Sequence, residues 1–228
     1  MEQTLGAIPT NLDGAALSAN SKKQIRIELR QRRRMLTAEQ QDAAAISLTK
    51  NIFQLHGITG TRRIGAYLAN DGEIDPLPAM LEWSRRGRKC FLPILFPGQK
   101  PRLRFASFSM RSRMFLNRFG ILEPCVSQRV CLDPSQLDWI FVPLVAFDSS
   151  GHRLGMGGGY YDASLAVLRS RTHWRKPRLV GLAHEFQRID HLAVDEWDVP
   201  LHGILTNERF YPAPDAAWPA THRSASRP

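Results

Sequence analysis

Several features that mark other classes of protein are absent from this sequence. No apolar run approaches the roughly 18 residues that cross a bilayer as a helix, and residues 1–20 lack the basic-then-apolar order of a signal peptide. The chain has only Cys90, Cys125 and Cys131, without a C-x-x-C pair, which argues against a disulfide framework or a zinc site and favours free, buried thiols. We therefore expect a cytoplasmic protein without a membrane partner.

The size and composition are typical of a globular protein with a substantial core. The chain has 228 residues, of which 43% are hydrophobic and 23% are charged, and this suits one domain. The net charge of +10 attracts polyanions, so nucleic acid, nucleotides and a polyglutamated substrate are all candidate partners. We expect the protein to be a monomer.

Segments with strand and helix patterns alternate along the chain, without an internal repeat. Strands are predicted over residues 63–69, 89–95, 103–108, 139–145, 178–183 and 199–206, and helices over residues 22–36, 37–56, 76–86 and 160–171. This alternation predicts a three-layer α/β/α sandwich with a largely parallel central sheet. We expect a flexible amino-terminal arm over residues 1–20, a single domain over residues 21–210 and a loose carboxyl-terminal tail over residues 211–228.

A glycine cluster lies between the predicted strand at 139–145 and the predicted helix at 160. Glycines at positions 155, 157, 158 and 159 let the backbone turn sharply and bring its N–H groups close to a ligand, and the start of a helix favours phosphate. Arg153 can bind a phosphate through two hydrogen bonds, and Asp162 offers a carboxylate suited to magnesium. These residues predict a nucleotide-phosphate site; the alternative is a glycine-rich hairpin or helix cap.

Two common nucleotide-binding fingerprints do not fit this cluster. A G-x-G-x-x-G motif that starts at Gly155 has Tyr160 at its sixth position, and the Gly-Lys-Ser/Thr ending of a P-loop is missing. The cluster therefore belongs neither to a dinucleotide-binding fold of that type nor to a P-loop protein.

Basic residues cluster on the first predicted helix. Lys22 and Arg26 lie one turn apart, where like charges repel and favour an anion or open water. Five arginines between positions 26 and 34 are compatible with a nucleic-acid contact or with a solvated helix face. Because no aromatic platform accompanies them, nucleic acid is the less favoured partner.

Two further segments have open alternatives. Glu73 follows the predicted strand at 63–69, at the sheet edge where open α/β sheets bind ligands, and its alternative is an acidic loop or capping residue. Met110, Met114, Phe115 and Phe119 fall in a stretch predicted to be irregular after residue 108, where they suit either core packing or the wall of a pocket.

Five motifs, in order over residues 22–206, resemble one family, the 5-formyltetrahydrofolate cyclo-ligases, also called methenyltetrahydrofolate synthetases. They are Lys22-Lys-Gln-Ile-Arg26, Tyr67-Leu-Ala-Asn-Asp-Gly-Glu-Ile-Asp75, Pro143-Leu-Val-Ala-Phe-Asp148, Arg153-Leu-Gly-Met-Gly-Gly-Gly-Tyr-Tyr-Asp162 and Glu196-Trp-Asp-Val-Pro-Leu201. The resemblance implies an ATP-dependent ligase that uses Mg²⁺ to convert 5-formyltetrahydrofolate to 5,10-methenyltetrahydrofolate and releases ADP and phosphate. It implies that the formyl oxygen is phosphorylated and that N10 then attacks the formyl carbon.

The resemblance also implies roles for individual residues. Lys22 and Arg26 match a phosphate-binding pair that acts with Arg153 in catalysis, and Asp162 and Asp198 match magnesium carboxylates. Leu68 and Glu73 match folate contacts, and a carboxylate such as Glu73 can accept hydrogen bonds from pterin nitrogens. The segment that matches the ATP loop, of which residues 156–160 also border the folate, consists of Arg153, Leu154, Gly155, Met156, Gly157, Gly158, Gly159, Tyr160 and Tyr161.

The sequence departs from the family pattern within the loop. Met156 and Gly158 stand where some relatives have basic residues, so Lys22, Arg26 and Arg153 would carry more of the phosphate-binding charge. Without the resemblance, Asp198 is better explained as a cap or a surface charge. We expect His184 and His202 to be structural.

Overall fold

A computed structural model of the protein describes residues 19–96, 101–169, 176–193 and 195–214. The remaining parts of the expected arm and tail, residues 1–18 and 215–228, lie outside these ranges. The described helices are α1 (Ala19–Arg34), α2 (Ala38–Gln54), α3 (Leu77–Arg85) and α4 (Tyr160–Arg169). Within the described ranges, every helix is too short or too polar to cross a bilayer.

The main strands form a twisted seven-stranded sheet in the order β11-β10-β9-β6-β1-β2-β3. These strands are β1 (Arg63–Gly65), β2 (Lys89–Phe96), β3 (Arg102–Phe108), β6 (Trp139–Pro143), β9 (Arg178–Ala183), β10 (Gly203–Thr206) and β11 (Phe210–Pro212). The five inner strands are parallel, and β3 and β11 run antiparallel at the two edges. The largely parallel sheet predicted from the sequence is confirmed.

Helices cover both faces of this sheet because each presents an apolar stripe to it. On one face, Ile52 of α2 and Trp83 of α3 pack against Phe141 of β6. On the other, Leu165 and Leu168 of α4 pack in the second large core cluster. Three layers result, as predicted, while α1 packs on a small hairpin described below.

The predicted strand at 139–145 is shorter than expected. Strand β6 ends at Pro143, and side chains bond the next carbonyls in place of a neighbouring strand. Gln187 Nε2 donates to the carbonyls of Leu144 and Val145 at 3.0 and 2.8 Å, and Arg33 Nη1 donates to Leu144 at 3.3 Å. The chain then forms a hairpin of β7 (Ala146–Phe147) and β8 (Arg153–Leu154) before the glycine cluster. The glycine loop therefore follows β8, not the central strand.

The stretch after residue 108 is more regular than predicted. It contains a hairpin of β4 (Met114–Leu116) and β5 (Leu122–Pro124), whose turn is stabilised by the Asn117 side chain, which accepts from the N–H groups of Phe119 and Ile121 at 2.8 and 3.1 Å. Three short 3-10 turns complete the described structure: Gln128–Val130, Pro134–Gln136 and Glu185–Gln187.

Three boundary or burial expectations were wrong in detail. The first helix already includes Ala19 and Asn20, inside the expected arm. Strand β11 extends to Pro212, into the expected tail, because it pairs with β10, and Phe210 packs directly on Gly203, where a β-carbon would lie 2.5 Å from its ring. All three cysteines are free thiols, but Cys125 is exposed whereas Cys90 and Cys131 are buried.

The start of α2 is capped by a reciprocal pair of hydrogen bonds. The hydroxyl of Thr37 accepts from the N–H of Gln40 at 3.3 Å, and the Gln40 side chain accepts from the N–H of Thr37 at 2.9 Å. We expect Thr37→Ala to lower the free energy of unfolding by about 1 kcal/mol and the Tm by about 2–4 °C, measured by circular dichroism. Thr37→Ser keeps the hydroxyl and is the control; a serine variant as unstable as the alanine variant would contradict the capping role.

Candidate active site

A cavity of about 1010 Å³ opens at the carboxyl ends of β1 and β6, between α1, the glycine loop and the β4–β5 hairpin. All the site residues that the sequence singled out line it, although they come from distant parts of the chain. They are Lys22, Arg26, Leu68, Glu73, Arg153, Leu154, Gly155, Met156, Gly157, Gly158, Gly159, Tyr160, Tyr161, Asp162 and Asp198. The structure thus brings these residues together, while their individual roles stay predictions.

The glycine loop turns sharply before α4 and is hydrogen-bonded to a side chain of α1. Gly157 and Gly159 have φ values of 94° and 65°, a region that residues with a β-carbon rarely adopt. Arg26 Nε donates to the carbonyl of Gly155 at 2.8 Å. Because α4 begins at Tyr160, the unpaired N–H groups of its first turn lie beside this loop and favour an anion there.

Arg153 is anchored more tightly than the sequence suggested. Its side chain is only 7% exposed, Nη1 donates to the carbonyl of Val199 at 2.6 Å, and Nη2 donates to Oδ1 of Asp162. Arg153 therefore joins the start of α4 to the segment that follows Asp198, and part of its hydrogen-bonding capacity is used within the protein.

Lys22 also has an acidic partner that sequence reasoning missed. Its Nζ lies 2.7 Å from Oδ2 of Asp195, and its side chain is 14% exposed. The N–H of Asp195 in turn donates to Oδ2 of Asp198 at 3.0 Å, so Asp198 does cap a local turn, as its sequence context suggested. The neighbouring acidic residues in Asp195-Glu-Trp-Asp198 are the only signal in the sequence that points to Asp195.

The same cavity is also lined by a buried carboxylate, that of Glu73. Burial raises the pKa of Glu73 to about 7, although the guanidinium of Arg33 opposes this from 3.8 Å. The N–H of Asn70 donates to its other oxygen at 3.2 Å. Tyr161 lies near both Glu73 and Arg153, and its buried hydroxyl has no hydrogen-bond partner among the described protein atoms. The surroundings of Glu73 are suited to a ligand that donates hydrogen bonds.

Two aspartates that line the cavity offer a partial metal shell. Asp162 and Asp198 both line the cavity, and each uses one oxygen in the bonds described above. Among the described residues, no group of three or more His, Cys, Asp or Glu side chains is placed to hold a metal ion. Two carboxylates without a third ligand fit Mg²⁺ that takes its remaining oxygens from phosphates and water.

Each arginine of the basic run on α1 has a partner inside the protein. Arg30, Arg33 and Arg34 all pair with Asp71, Arg32 lies over the ring of Phe186 at 4.6 Å, and Arg26 binds the glycine loop. These contacts give each of the five arginines a role within the fold.

The two histidines are structural, as predicted. The imidazole of His184 bonds the carbonyl of Gly72 at 3.2 Å, and Nδ1 of His202 accepts from the N–H of Leu179 at 3.1 Å. Burial lowers the pKa of both to about 4, so both are neutral near pH 7.

The β4–β5 hairpin adds a wall that the sequence suggested only in part. Of the four residues proposed for a pocket wall or the core, Phe119 lines the cavity and meets the ring of Tyr160 edge-on, with centroids 5.8 Å apart. Met114 packs against the core, whereas Met110 and Phe115 are exposed. Trp197, 64% exposed, lies at the cavity beside Asp198 and was also missed.

These features define a class of protein: a largely parallel α/β fold in which a glycine loop, basic side chains of α1 and a buried carboxylate share one cavity. A model of the 5-formyltetrahydrofolate cyclo-ligase family matches residues 18–207. The chain belongs to this family of ligases.

Individual relatives agree with that assignment. The 5-formyltetrahydrofolate cyclo-ligase of Escherichia coli K12 is 37% identical over 183 residues, which cover 80% of this chain and 98% of that protein. The mouse 5-formyltetrahydrofolate cyclo-ligase is 29% identical over 84% of this chain and 96% of its own. The NMR structure of Aquifex aeolicus 5,10-methenyltetrahydrofolate synthetase matches with a TM-score of 0.70 and 26% identity, covering 90% of this chain and 98% of that one. The family and fold predicted from the sequence are confirmed.

Proposed function

We propose that this protein catalyses the ATP- and Mg²⁺-dependent cyclisation of 5-formyltetrahydrofolate to 5,10-methenyltetrahydrofolate, with release of ADP and phosphate. The observation that carries the proposal is that an anion-binding loop and a buried carboxylate lie in the same cavity. Its volume of about 1010 Å³ is at the upper end for ligand sites, as a site for two substrates requires.

The phosphates of ATP bind at the glycine loop in this proposal. Backbone N–H groups at the start of α4 and the cations of Lys22 and Arg26 supply the positive potential, and Arg153 keeps Asp162 in place. Asp162 and Asp198 hold Mg²⁺, which neutralises phosphate charge when it is bound with the nucleotide. Because Met156 and Gly158 add no charge to the loop, Lys22, Arg26 and Arg153 are the side-chain cations that bind the phosphates.

The folate binds at the other end, next to Leu68 and Glu73. When ionised, the carboxylate of Glu73 accepts hydrogen bonds from N–H groups of the pterin ring, for which a buried acceptor gives both affinity and orientation. The net charge of +10 favours the encounter with both anionic substrates, including a polyglutamated folate.

The reaction then has two steps. The formyl oxygen attacks the γ-phosphorus, so that an O–P bond forms, the bond to the β–γ bridging oxygen breaks and ADP leaves. Next, N10 attacks the formyl carbon of the same molecule; the new C–N bond forms, the C–O bond breaks, phosphate leaves and the N10 proton is released to solvent. Both steps depend on alignment within the cavity, which contributes up to about 7–11 kcal/mol in favourable intramolecular cases.

The near-ultraviolet absorbance of the methenyl product tests the proposal directly. Product should form only when 5-formyltetrahydrofolate, ATP and Mg²⁺ are all present, with one ADP released per product. ATP hydrolysis without methenyl product would instead indicate another acyl or formyl substrate on the same scaffold.

The positive φ of Gly157 makes a specific prediction for ATP. In Gly157→Ala the strained backbone costs roughly 1–3 kcal/mol, whereas the added β-carbon would lie at an ordinary contact distance of 3.7 Å from the guanidinium of Arg26, so the expected effect comes from the backbone. We expect the KM for ATP to rise about tenfold and the KM for folate to rise much less, measured by steady-state kinetics.

Gly155→Ala is the matched control for this change. Its φ is ordinary and a β-carbon there meets no atom within 4 Å among the described residues. Its effect on the KM for ATP should be several-fold smaller; equal effects at the two positions would show that the backbone of Gly157 is not what ATP requires.

A further inference from the structure

The loop that carries Glu73 is clamped against α1 and α2. Asp71 pairs with three arginines of α1: Arg30 at 2.7 Å, Arg33 at 3.2 Å, and Arg34. The next carbonyl, that of Gly72, accepts from Gln41 of α2 at 3.1 Å. Residues 70–73 therefore have little freedom to move away from α1.

Arg33 differs from the other two arginines in its burial. Its side chain is 0% exposed, compared with 35% for Arg30 and 57% for Arg34. Its Nε has no hydrogen-bond partner among the described atoms, and its guanidinium lies 3.8 Å from Oε1 of Glu73. A buried cation with an unsatisfied donor is costly, and an apolar side chain of similar size often gives equal or greater stability. Stability alone is therefore a poor explanation for an arginine here.

Backbone packing brings the same residue against the loop. A β-carbon on Gly72 would lie 2.7 Å from the carbonyl oxygen of Arg33. The loop and the end of α1 are thus in direct contact, and the position of Glu73 depends on both the backbone and the guanidinium of Arg33.

We propose that Arg33 is the positioning residue for Glu73. Arg33 holds residues 70–73 against α1 and keeps the Glu73 carboxylate oriented toward the substrate. This inference rests on the proposed function, in which Glu73 binds the folate. Since Lys22 and Arg26 lie on the same helix, α1 would connect the phosphate end of the cavity to the folate end as one rigid element.

The charges around Glu73 make the role of Arg33 measurable. Arg33 and Arg30 lower the pKa of Glu73, whereas Asp71 and, above all, burial raise it. The hydroxyls of Tyr67 and Tyr161 also face it and are neutral near pH 7. Removal of Arg33 should therefore leave Glu73 protonated at a pH where the wild-type carboxyl is half ionised.

The experiment compares Arg33→Met with Arg34→Met, which removes an arginine from the same aspartate but not from Glu73. In Arg33→Met the acid limb of kcat/KM for 5-formyltetrahydrofolate should move up by about one pH unit. The value at pH 7 should fall roughly tenfold or more, while the KM for ATP changes less than about twofold. In Arg34→Met all three quantities should stay within about twofold of wild type.

Combining Arg33→Met with Glu73→Gln separates the positioning of Glu73 from general damage to the fold. Added to Glu73→Gln, Arg33→Met should cause less than about a twofold further loss, because its target is already gone. The same loss in both backgrounds, or an unchanged acid limb, overturns the proposal. If Arg33→Met does not fold, Arg33→Lys keeps the charge without the second donor; a several-fold higher folate KM supports the proposal, and a wild-type KM overturns it.

A measurement made without substrate tests the role of Arg33 separately from the proposed function. Carbon-13 NMR of labelled glutamate carboxyls, with Glu73 assigned from Glu73→Gln, follows its ionisation directly. A wild-type protein that forms no methenyl product refutes the proposed function. The positioning role is then supported if Arg33→Met raises the Glu73 midpoint while Arg34→Met does not, and it is overturned if neither or both do.

Discussion

Arg153→Ala is expected to lower kcat by roughly 10²–10³-fold, the usual loss when one group that stabilises transition-state charge is removed. In the structure this arginine lines the cavity and holds Asp162 and the carbonyl of Val199, and the proposed function makes it a cation of the phosphate site. Its loss therefore weakens both the phosphate site and the placement of a proposed metal ligand. Steady-state kinetics with each substrate varied, together with circular dichroism, should show a large fall in kcat with a nearly unchanged folate KM and secondary structure.

Two controls define what this result means. Arg85→Ala removes a 79% exposed arginine of α3 that pairs with Glu82, and it should retain activity within about twofold. Arg153→Lys keeps the charge but not the planar fork, so it should recover only part of the loss. A wild-type kcat in Arg153→Ala would mean that neither the cation nor its hold on Asp162 matters for turnover. Asp162→Asn should, in addition, raise the Mg²⁺ concentration needed for half-maximal activity.

Part of the site was accessible from the sequence because of a property of parallel sheets. Segments that follow parallel strands leave at the same edge, so Glu73 after β1 was expected at a ligand-binding edge, whereas its link to the glycine cluster was implied by the family resemblance. The glycine cluster and its Tyr160-Tyr-Asp162 ending could be recognised from the local sequence alone. The sheet itself followed from the alternation of apolar strand and amphipathic helix patterns.

The residues that pair with the arginines inside the protein could not be predicted from the sequence. A basic run looks alike whether it faces solvent, nucleic acid or one aspartate, and Asp71 lies 37–41 positions from the arginines it binds. The β4–β5 hairpin was missed because three-residue strands show almost no alternation, and its turn depends on the Asn117 side chain. The anchoring of Arg153 by Val199 also required the folded chain, since these residues are 46 positions apart.

Glu73→Gln should raise the KM for 5-formyltetrahydrofolate roughly 10–100-fold, because hydrogen bonds to a charged group contribute about 1.5–3 kcal/mol. The KM for ATP should change less than about twofold, since in the proposed function Glu73 binds the folate and not the nucleotide. The wild-type kcat/KM for folate should fall as the pH drops below about 7, where the carboxyl takes up a proton. The glutamine variant should lack this limb. An effect confined to ATP would contradict the placement of the folate.

The same substitution makes a prediction for stability whose sign is fixed by the raised pKa. Folded Glu73 keeps its proton up to about pH 7, whereas the unfolded chain releases it near its ordinary value of 4.5. The contribution to stability is therefore complete below pH 4.5 and is lost as the pH rises through about 7, by about 3 kcal/mol in total. Relative to wild type, Glu73→Gln should gain this amount of unfolding free energy between about pH 4.5 and 8, measured by urea denaturation. Because any cost of leaving Arg33 without its carboxylate does not vary with pH in this range, a pH-independent difference between the two proteins would show that folding does not raise the pKa of Glu73.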